Sequence, residues 1–345
     1  MRFLHLDTLR FALAFFVVYG HTLGFNGPAR NGGLAVDFFF ILSGFVLTHS
    51  ITKQPRDFYS FAIARFARLW PLQLVAVIAV LLLASWPGWQ ALQVNLTLTQ
   101  NAGIIDELTM NIPSWSISAE FIIGLFVLYP LARYGLWPAA ITTIIVGYVL
   151  LNGISAPLDQ MHIQPVGPIS AGLVRCAVDT CLGYFAYQAR PMGRLIPKQV
   201  MMLLHIIAII GIFGWMAAPI GNHGKAVAVV FSAFAIWALS VGESTVQRVL
   251  ASRKIAWLGS LSFGIYMWHF PVLLLFRNYN LIGYTEDTRA AVLSLDGRAI
   301  STLALLYFSI LVVAAISYIV VEKPSKRAIL SLATPKRAAT RTATS

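Results

Sequence analysis

The chain has 345 residues, of which 58% are hydrophobic and only 11% charged, less than half the charged share of an average soluble protein. It carries 25 Lys and Arg against 13 Asp and Glu, a formal net charge of +12. This composition excludes an ordinary soluble domain and points to a polytopic membrane protein. No basic run is interleaved with stacking aromatics, so the surplus is assigned to cytoplasmic loops and not to a nucleic-acid groove.

Ten apolar stretches are long enough to cross about 30 Å of hydrocarbon: 9–25, 34–50, 71–87, 115–132, 136–153, 169–189, 200–219, 225–242, 257–276 and 299–321. The fold class expected is therefore all-α, with about ten transmembrane helices. With the N-terminus inside, 18 of the Lys and Arg fall in inner segments and five in outer ones. That asymmetry places both termini in the cytoplasm. Residues 1–330 form one transmembrane domain in this reading, and 331–345 (small, polar and basic) a disordered cytoplasmic tail. The first stretch lacks the small-residue cleavage site of a signal peptide. Cys176 and Cys181 share an apolar segment at a spacing that is not a redox motif, and read as buried thiols.

Ionisable residues inside spanning helices are costly, so each is a functional candidate. In the first stretch, LRFALAFFVVYGHTLGF, Arg10 and His21 are eleven residues apart. On an α-helix that separates them by only about 20° in azimuth and about 16 Å along the axis. They share one face at two depths, which suits a path through the protein; a snorkelling arginine and a satisfied core histidine are the plainer alternative. The second stretch, LAVDFFFILSGFVLTHS, opens with Asp37, which can orient a histidine or merely cap the helix, and contains Ser43-Gly44, small enough for close helix packing.

RDFYSFAIARFARLWP reads as an amphipathic helix on the inner surface, preceding the third span. Its Arg65 and Arg68, at i and i+3, point the same way and can clamp phosphates bidentately or anchor the helix on anionic lipid. PSWSISAEF opens the fourth span and places Glu120 about one turn below the outer surface. The 88–113 connection ahead of it is too short for a soluble domain. In the sixth span Arg175 and Asp179, at i and i+4, are expected to neutralise each other, and His205 reads as an interhelix hydrogen bonder. The ninth span, LGSLSFGIYMWHFPVL, puts Ser262, Tyr266 and His269 within two turns, with Pro271 freeing a backbone carbonyl. Glu322 closes the tenth and is expected to pair with Lys323 or Lys326.

Taken in order, these segments resemble the membrane acyltransferase 3 family, the integral-membrane O-acyltransferases that decorate bacterial polysaccharides, lipopolysaccharide and Nod factors. Five motifs carry the resemblance across nearly the whole chain. They are LDTLR with Arg10 and His21; AVDFFFILSGF, where Ala35 replaces a glycine; Arg65 and Arg68 followed by Trp70-Pro71; WSISAE, where a second family glutamate is Phe121 here; and LSFGIYMWHFPV.

The resemblance implies a bacterial inner-membrane enzyme using acyl-CoA, most often acetyl-CoA, as cytoplasmic co-substrate. Its acceptor would be a hydroxyl of a cell-surface or lipid-linked carbohydrate on the outer side, such as an exopolysaccharide or lipopolysaccharide. It assigns catalysis to His21 with Asp37 and Glu120, and acyl-CoA binding to Arg10, Arg65 and Arg68. Placement of acceptor or thioester falls to Ser43, Tyr266 and His269. No metal or permanently bound cofactor, and no nucleic-acid partner, is implied; the acyl group, the sugar and the oligomeric state stay open. His21 is general base or acyl-carrying nucleophile. Two other classes explain part of the pattern: a permease for an anionic solute, with Arg10 and Arg175 as binding charges, and a non-catalytic sensor or scaffold.

Overall fold

Each of the ten apolar stretches is helical over most of its described residues in the computed structural model, which describes residues 3–23, 27–105, 107–153, 169–282 and 297–333. Every regular element among them is a helix: α1 (Leu4–Leu23), α2 (Leu34–Lys53), α3 (Phe58–Leu83), α4 (Trp89–Leu96), α5 (Trp115–Ile123), α6 (Tyr129–Tyr134), α7 (Trp137–Gly153), α8 (Ala171–Gln188), α9 (Lys198–Ala217), α10 (Asn222–Ser240), α11 (Thr245–Leu250), α12 (Arg253–Gly259), α13 (Ser262–Asn278), α14 (Gly297–Ser317) and α15 (Lys323–Ala333). Among the described residues, six helical spans are long and apolar enough, by length and composition, to cross a membrane. By that measure α1, α8 and α13 fall short, and these helices carry Arg10, His21, Arg175, Asp179 and His269. Polar residues on a spanning helix are tolerated where neighbouring helices screen them from lipid.

The third span differs from the sequence expectation. No separate surface helix precedes it: α3 runs unbroken for 26 residues through Pro71. Asp57 starts it as N-cap, accepting from the Ser60 amide at 2.9 Å and the Ser60 hydroxyl at 2.7 Å, and these two bonds hold its carboxyl below its ordinary value of 3.8. A proline removes one hydrogen bond from a helix without obliging it to stop. Arg65 and Arg68 are therefore carried on the spanning helix itself, with Arg65 buried.

Two π-helical turns interrupt otherwise continuous helices, at Gly124–Leu128 between α5 and α6 and at Tyr318–Glu322 between α14 and α15. Each ends two residues before a proline, Pro130 or Pro324. A proline ring crowds the carbonyl four residues back, and widening the turn relieves that contact. The last helix thus extends to Ala333, past the expected tail boundary at 331; the rest of the expected tail lies outside the described residues.

At the centre α2 packs on α8 through glycine. A Cβ on Gly183 would overlap the Ile41 carbonyl, and one on Gly44 would overlap that of Thr180. The two backbones are closer than any side chain permits, the close approach that small residues give in membranes. This contact sets the register that brings Asp37 of α2 opposite Arg175 of α8. The main apolar core joins α1, α2, α3, α5, α8 and α13, and a second joins α1, α13 and α14 through Ala14, Val18, Ile265, Val272 and Ile310. His205 is a satisfied interhelix bonder, meeting the Ser244 hydroxyl at 2.7 Å and the Ala238 carbonyl at 2.9 Å. Cys176 and Cys181 are free and buried.

Candidate active site

The shared face of Arg10 and His21 turns toward α13. Arg10 lines a cavity with Ser262, Phe263 and Tyr266 of α13, Val36, Phe39 and Phe40 of α2, and Ser116, Ile117 and Glu120 of α5. About three turns further along α1, the His21 ring lies against that of His269, with centroids 5.1 Å apart and planes tilted by 33°. His269 is fully buried. Its Nδ1 lies 2.6 Å from the Tyr266 carbonyl, an oxygen that only accepts. Nδ1 therefore carries the proton, and Nε2 is left as a bare acceptor without a partner. The Tyr266 hydroxyl lies 2.8 Å from both the Ser116 hydroxyl and the Pro113 carbonyl, and fixes α5 against α13.

On the other wall, Glu120 gathers two of the expected residues. Its Oε1 accepts from the Ser43 hydroxyl at 2.7 Å and from Arg65 Nη2 at 2.7 Å. Ser43 is thus a support for Glu120. Arg65 keeps Nε buried without a partner. Arg68 does not close onto Arg65; its Nη1 binds Glu322 at 2.6 Å, and its guanidinium lies 4.8 Å above the Phe263 ring. Glu322 therefore pairs with Arg68 and not, as the sequence suggested, with Lys323 or Lys326. It reaches Arg68 from the last position of the π turn, a geometry that its position in the sequence does not reveal.

Asp37 is not brought to His21. Arg175 binds it in a fork, with Nε on Oδ1 and Nη2 on Oδ2 at 2.6 Å, and Nη2 also donates to the Gly33 carbonyl at 3.0 Å. The local Arg175–Asp179 pairing expected from i, i+4 spacing is thereby redirected across the α2–α8 contact. Planar guanidinium and carboxylate match best edge to edge, and α2 offers that edge. The role of Asp37 as orienter of His21 has no contact to support it; its position makes it the fork that joins α2 to α8.

The set therefore separates into two levels. Arg10, Arg65, Arg68 and Glu120 surround or border the cavity, and the paired imidazoles of His21 and His269 lie further along α1 and α13. Arg10 has no ion-pair partner among the described residues, so the cavity presents a cation able to receive an anionic or carbonyl oxygen. The imidazoles offer a base or nucleophile with a second acceptor nitrogen beside it. Sequence reasoning missed Glu322 as the partner of Arg68, and missed that the 88–113 connection folds into the bundle, burying Asn95, Gln100, Asn101 and Asn111. The signal was present: LQVNLTLTQNAG is rich in amides and hydroxyls but holds no charge.

A family profile described as Acyltransferase domain, acyltransferase 3, matches residues 3–322. A protein of Listeria monocytogenes named peptidoglycan O-acetyltransferase OatA is 24% identical over 312 residues, covering 78% of this chain and 49% of that protein. Acyltransferase MdmB of Streptomyces mycarofaciens is 36% identical over 113 residues, 29% of this chain and 28% of its own length. Protein 2 in the picA locus of Rhizobium radiobacter is 45% identical over 85 residues, 22% of this chain and 42% of its own. This chain spans about half, or less, of the length of these relatives. No solved structure matches it.

Proposed function

Because the chain belongs to the acyltransferase 3 family, we propose that it moves an acyl group, acetyl first of all, from cytoplasmic acyl-CoA to a hydroxyl of a carbohydrate on the outer side of the membrane. In this reading both termini are cytoplasmic and the enzyme resides in a bacterial inner membrane. The acceptor is a glycan; the name of the Listeria relative makes peptidoglycan the first to try. The observation that carries the reading is the two-level arrangement along α1, with a cationic cavity at Arg10 and an imidazole pair at His21 and His269.

Donor phosphates fit the level of Arg65 and Arg68, whose guanidinium groups are aimed by Glu120 and Glu322 and retain further N–H donors. Arg10 lies on the donor route between that level and His21, which stands about three turns further along α1. His21 acts on the acyl group in one of two ways. As general base it takes the proton of the acceptor hydroxyl while the oxygen attacks the thioester carbon and the C–S bond breaks. As nucleophile it first attacks that carbon itself, releasing the thiolate, and then yields the acyl group to the hydroxyl. The permease alternative loses one of its two binding charges, because Asp37 neutralises Arg175.

His21→Gln tests the proposal. Glutamine keeps a hydrogen-bonding end but serves as neither base nor acyl carrier. Transfer of acetyl to glycan, followed by mass spectrometry of surface glycans and by free CoA thiol, should fall by at least the 10² to 10⁴ of general acid–base catalysis. Acyl-CoA binding should persist. Retention of more than about a tenth of the rate would make His21 structural.

A further inference from the structure

The segment between α4 and α5 is irregular; it buries Leu98, Gln100, Asn101, Met110 and Asn111 in the bundle, while Ile104 and Glu107 stay exposed. At membrane depth such backbone is tolerated where protein buries it or where it lines a polar cavity. Here it buries Gln100, Asn101 and Asn111, and α3 adds Gln73, all four between 0 and 4% exposed. The cluster is tied together at Ser114, whose hydroxyl lies 3.4 Å from Gln73 Nε2 and 3.1 Å from Gln100 Nε2. It adjoins the candidate active site through two neighbours in sequence: Pro113, whose carbonyl takes the Tyr266 hydroxyl, and Ser116, which lines the cavity.

Five polar atoms of this cluster are buried without a partner: Gln73 Oε1, Gln100 Oε1, Asn111 Oδ1, and both Asn101 Oδ1 and Nδ2. Native proteins leave few such groups, so several in one region are met by ordered water or by the polar groups of a ligand. Asn111 shows how the pattern arises. Pro271 has no N–H for the Met267 carbonyl one turn back, and Asn111 Nδ2 supplies the missing donor at 3.1 Å. That bond fixes which end of the amide faces α13, and so leaves Oδ1 to face elsewhere. Asn101 is held by its backbone alone, with its amide N–H on Ser118 and its carbonyl on Ser170. Its carboxamide is packed against Gly172 and bonds to nothing.

We propose that Gln73, Gln100, Asn101 and Asn111 form the subsite that reads the acceptor, and that the acceptor there is an uncharged saccharide ring. This rests on the acyltransferase reading and adds to it the residues and the chemistry of recognition. Carboxamides present a donor and an acceptor side by side, the pairing that sugar hydroxyl and acetamido groups require. No charged side chain belongs to the cluster, so an anionic sugar would enter without a counter-charge. A hydroxyl placed by these amides adjoins the Tyr266 and His269 end of α13.

The decisive variant is Asn101→Leu, which keeps the branched shape and removes two unpartnered atoms without removing any hydrogen bond. The protein is purified in nanodiscs, and acetyl transfer from acetyl-CoA is followed by thiol release with the neutral saccharides chitotetraose and maltotetraose and with an anionic peptidoglycan-derived disaccharide. Transfer to the anionic one alone overturns the uncharged-ring assignment. The expected result is a rise of at least tenfold in KM for the saccharide, with KM for acetyl-CoA unchanged and a thermal midpoint equal to or above that of wild type. Gln100→Met is the second variant, with the same expected shift in KM. An acceptor KM within twofold of wild type in both folded variants overturns the subsite while leaving the acyltransferase reading intact. A wild-type protein that transfers acetyl to none of the saccharides overturns the parent reading and the subsite with it.

Discussion

Replacing Asp37 by leucine separates a structural carboxylate from a chemical one. Asp37 and Arg175 are 2% and 8% exposed at their side chains, and the fork between them uses both carboxylate oxygens. Breaking such a buried pair costs roughly 3–5 kcal/mol. Because Asp179, one turn from Arg175 on α8 and also buried, can take part of the freed guanidinium, the loss from Asp37→Leu falls at the lower end of that range. That is a large part of the 5–15 kcal/mol that holds a typical protein folded. Asp37→Leu and Arg175→Met should each lose about this much, whereas the double variant, which removes both charges, should recover most of it, since apolar replacement of a buried pair is often neutral or stabilising. The coupling in the double-mutant cycle should then be about 3 kcal/mol or more, at the upper end for contacting residues. Unfolding by a denaturing detergent, monitored by tryptophan fluorescence and by retention on size-exclusion chromatography, measures all four corners. A double variant as unstable as either single one would refute the reasoning, because the fork would then not be the source of the loss. So would a single Asp37→Leu protein of wild-type stability and no activity, which would return Asp37 to the chemistry.

The donor level is tested by the double change Arg65→Lys and Arg68→Lys. Lysine keeps the charge but loses the planar fork, so KM for acetyl-CoA should rise about tenfold or more if these guanidinium groups hold phosphates, and an unchanged KM would leave them as partners of Glu120 and Glu322 only. The orientation is tested by single cysteines at positions 100 and 290, expected to label from outside, and at 55 and 335, expected to be protected from an impermeant thiol reagent. Because Gln100 is buried, its label should react slowly, and reversal of either pair would place the donor on the wrong side.

Some features were legible in the sequence because they depend on spacing along one helix. The ten helical stretches follow from runs of apolar residues, and the common face of Arg10 and His21 follows from an interval of eleven at 100° per residue. The ordered motifs from LDTLR to WHFPV marked the family. Where a polar side chain finds its partner is another matter, since that is fixed by which helices touch and at what register. Arg175 has Asp179 one turn away on α8, yet two facing glycines bring α2 so close that Asp37 receives the guanidinium edge-on. Glu322 has two lysines beside it in the chain, but a π turn ahead of Pro324 delivers it to Arg68. Asn111 belongs to an outer connection by sequence and lies in the core by structure, since Pro271 left a carbonyl without a donor. A single helix fixes the direction in which a side chain points; only the packed bundle decides what stands there to meet it.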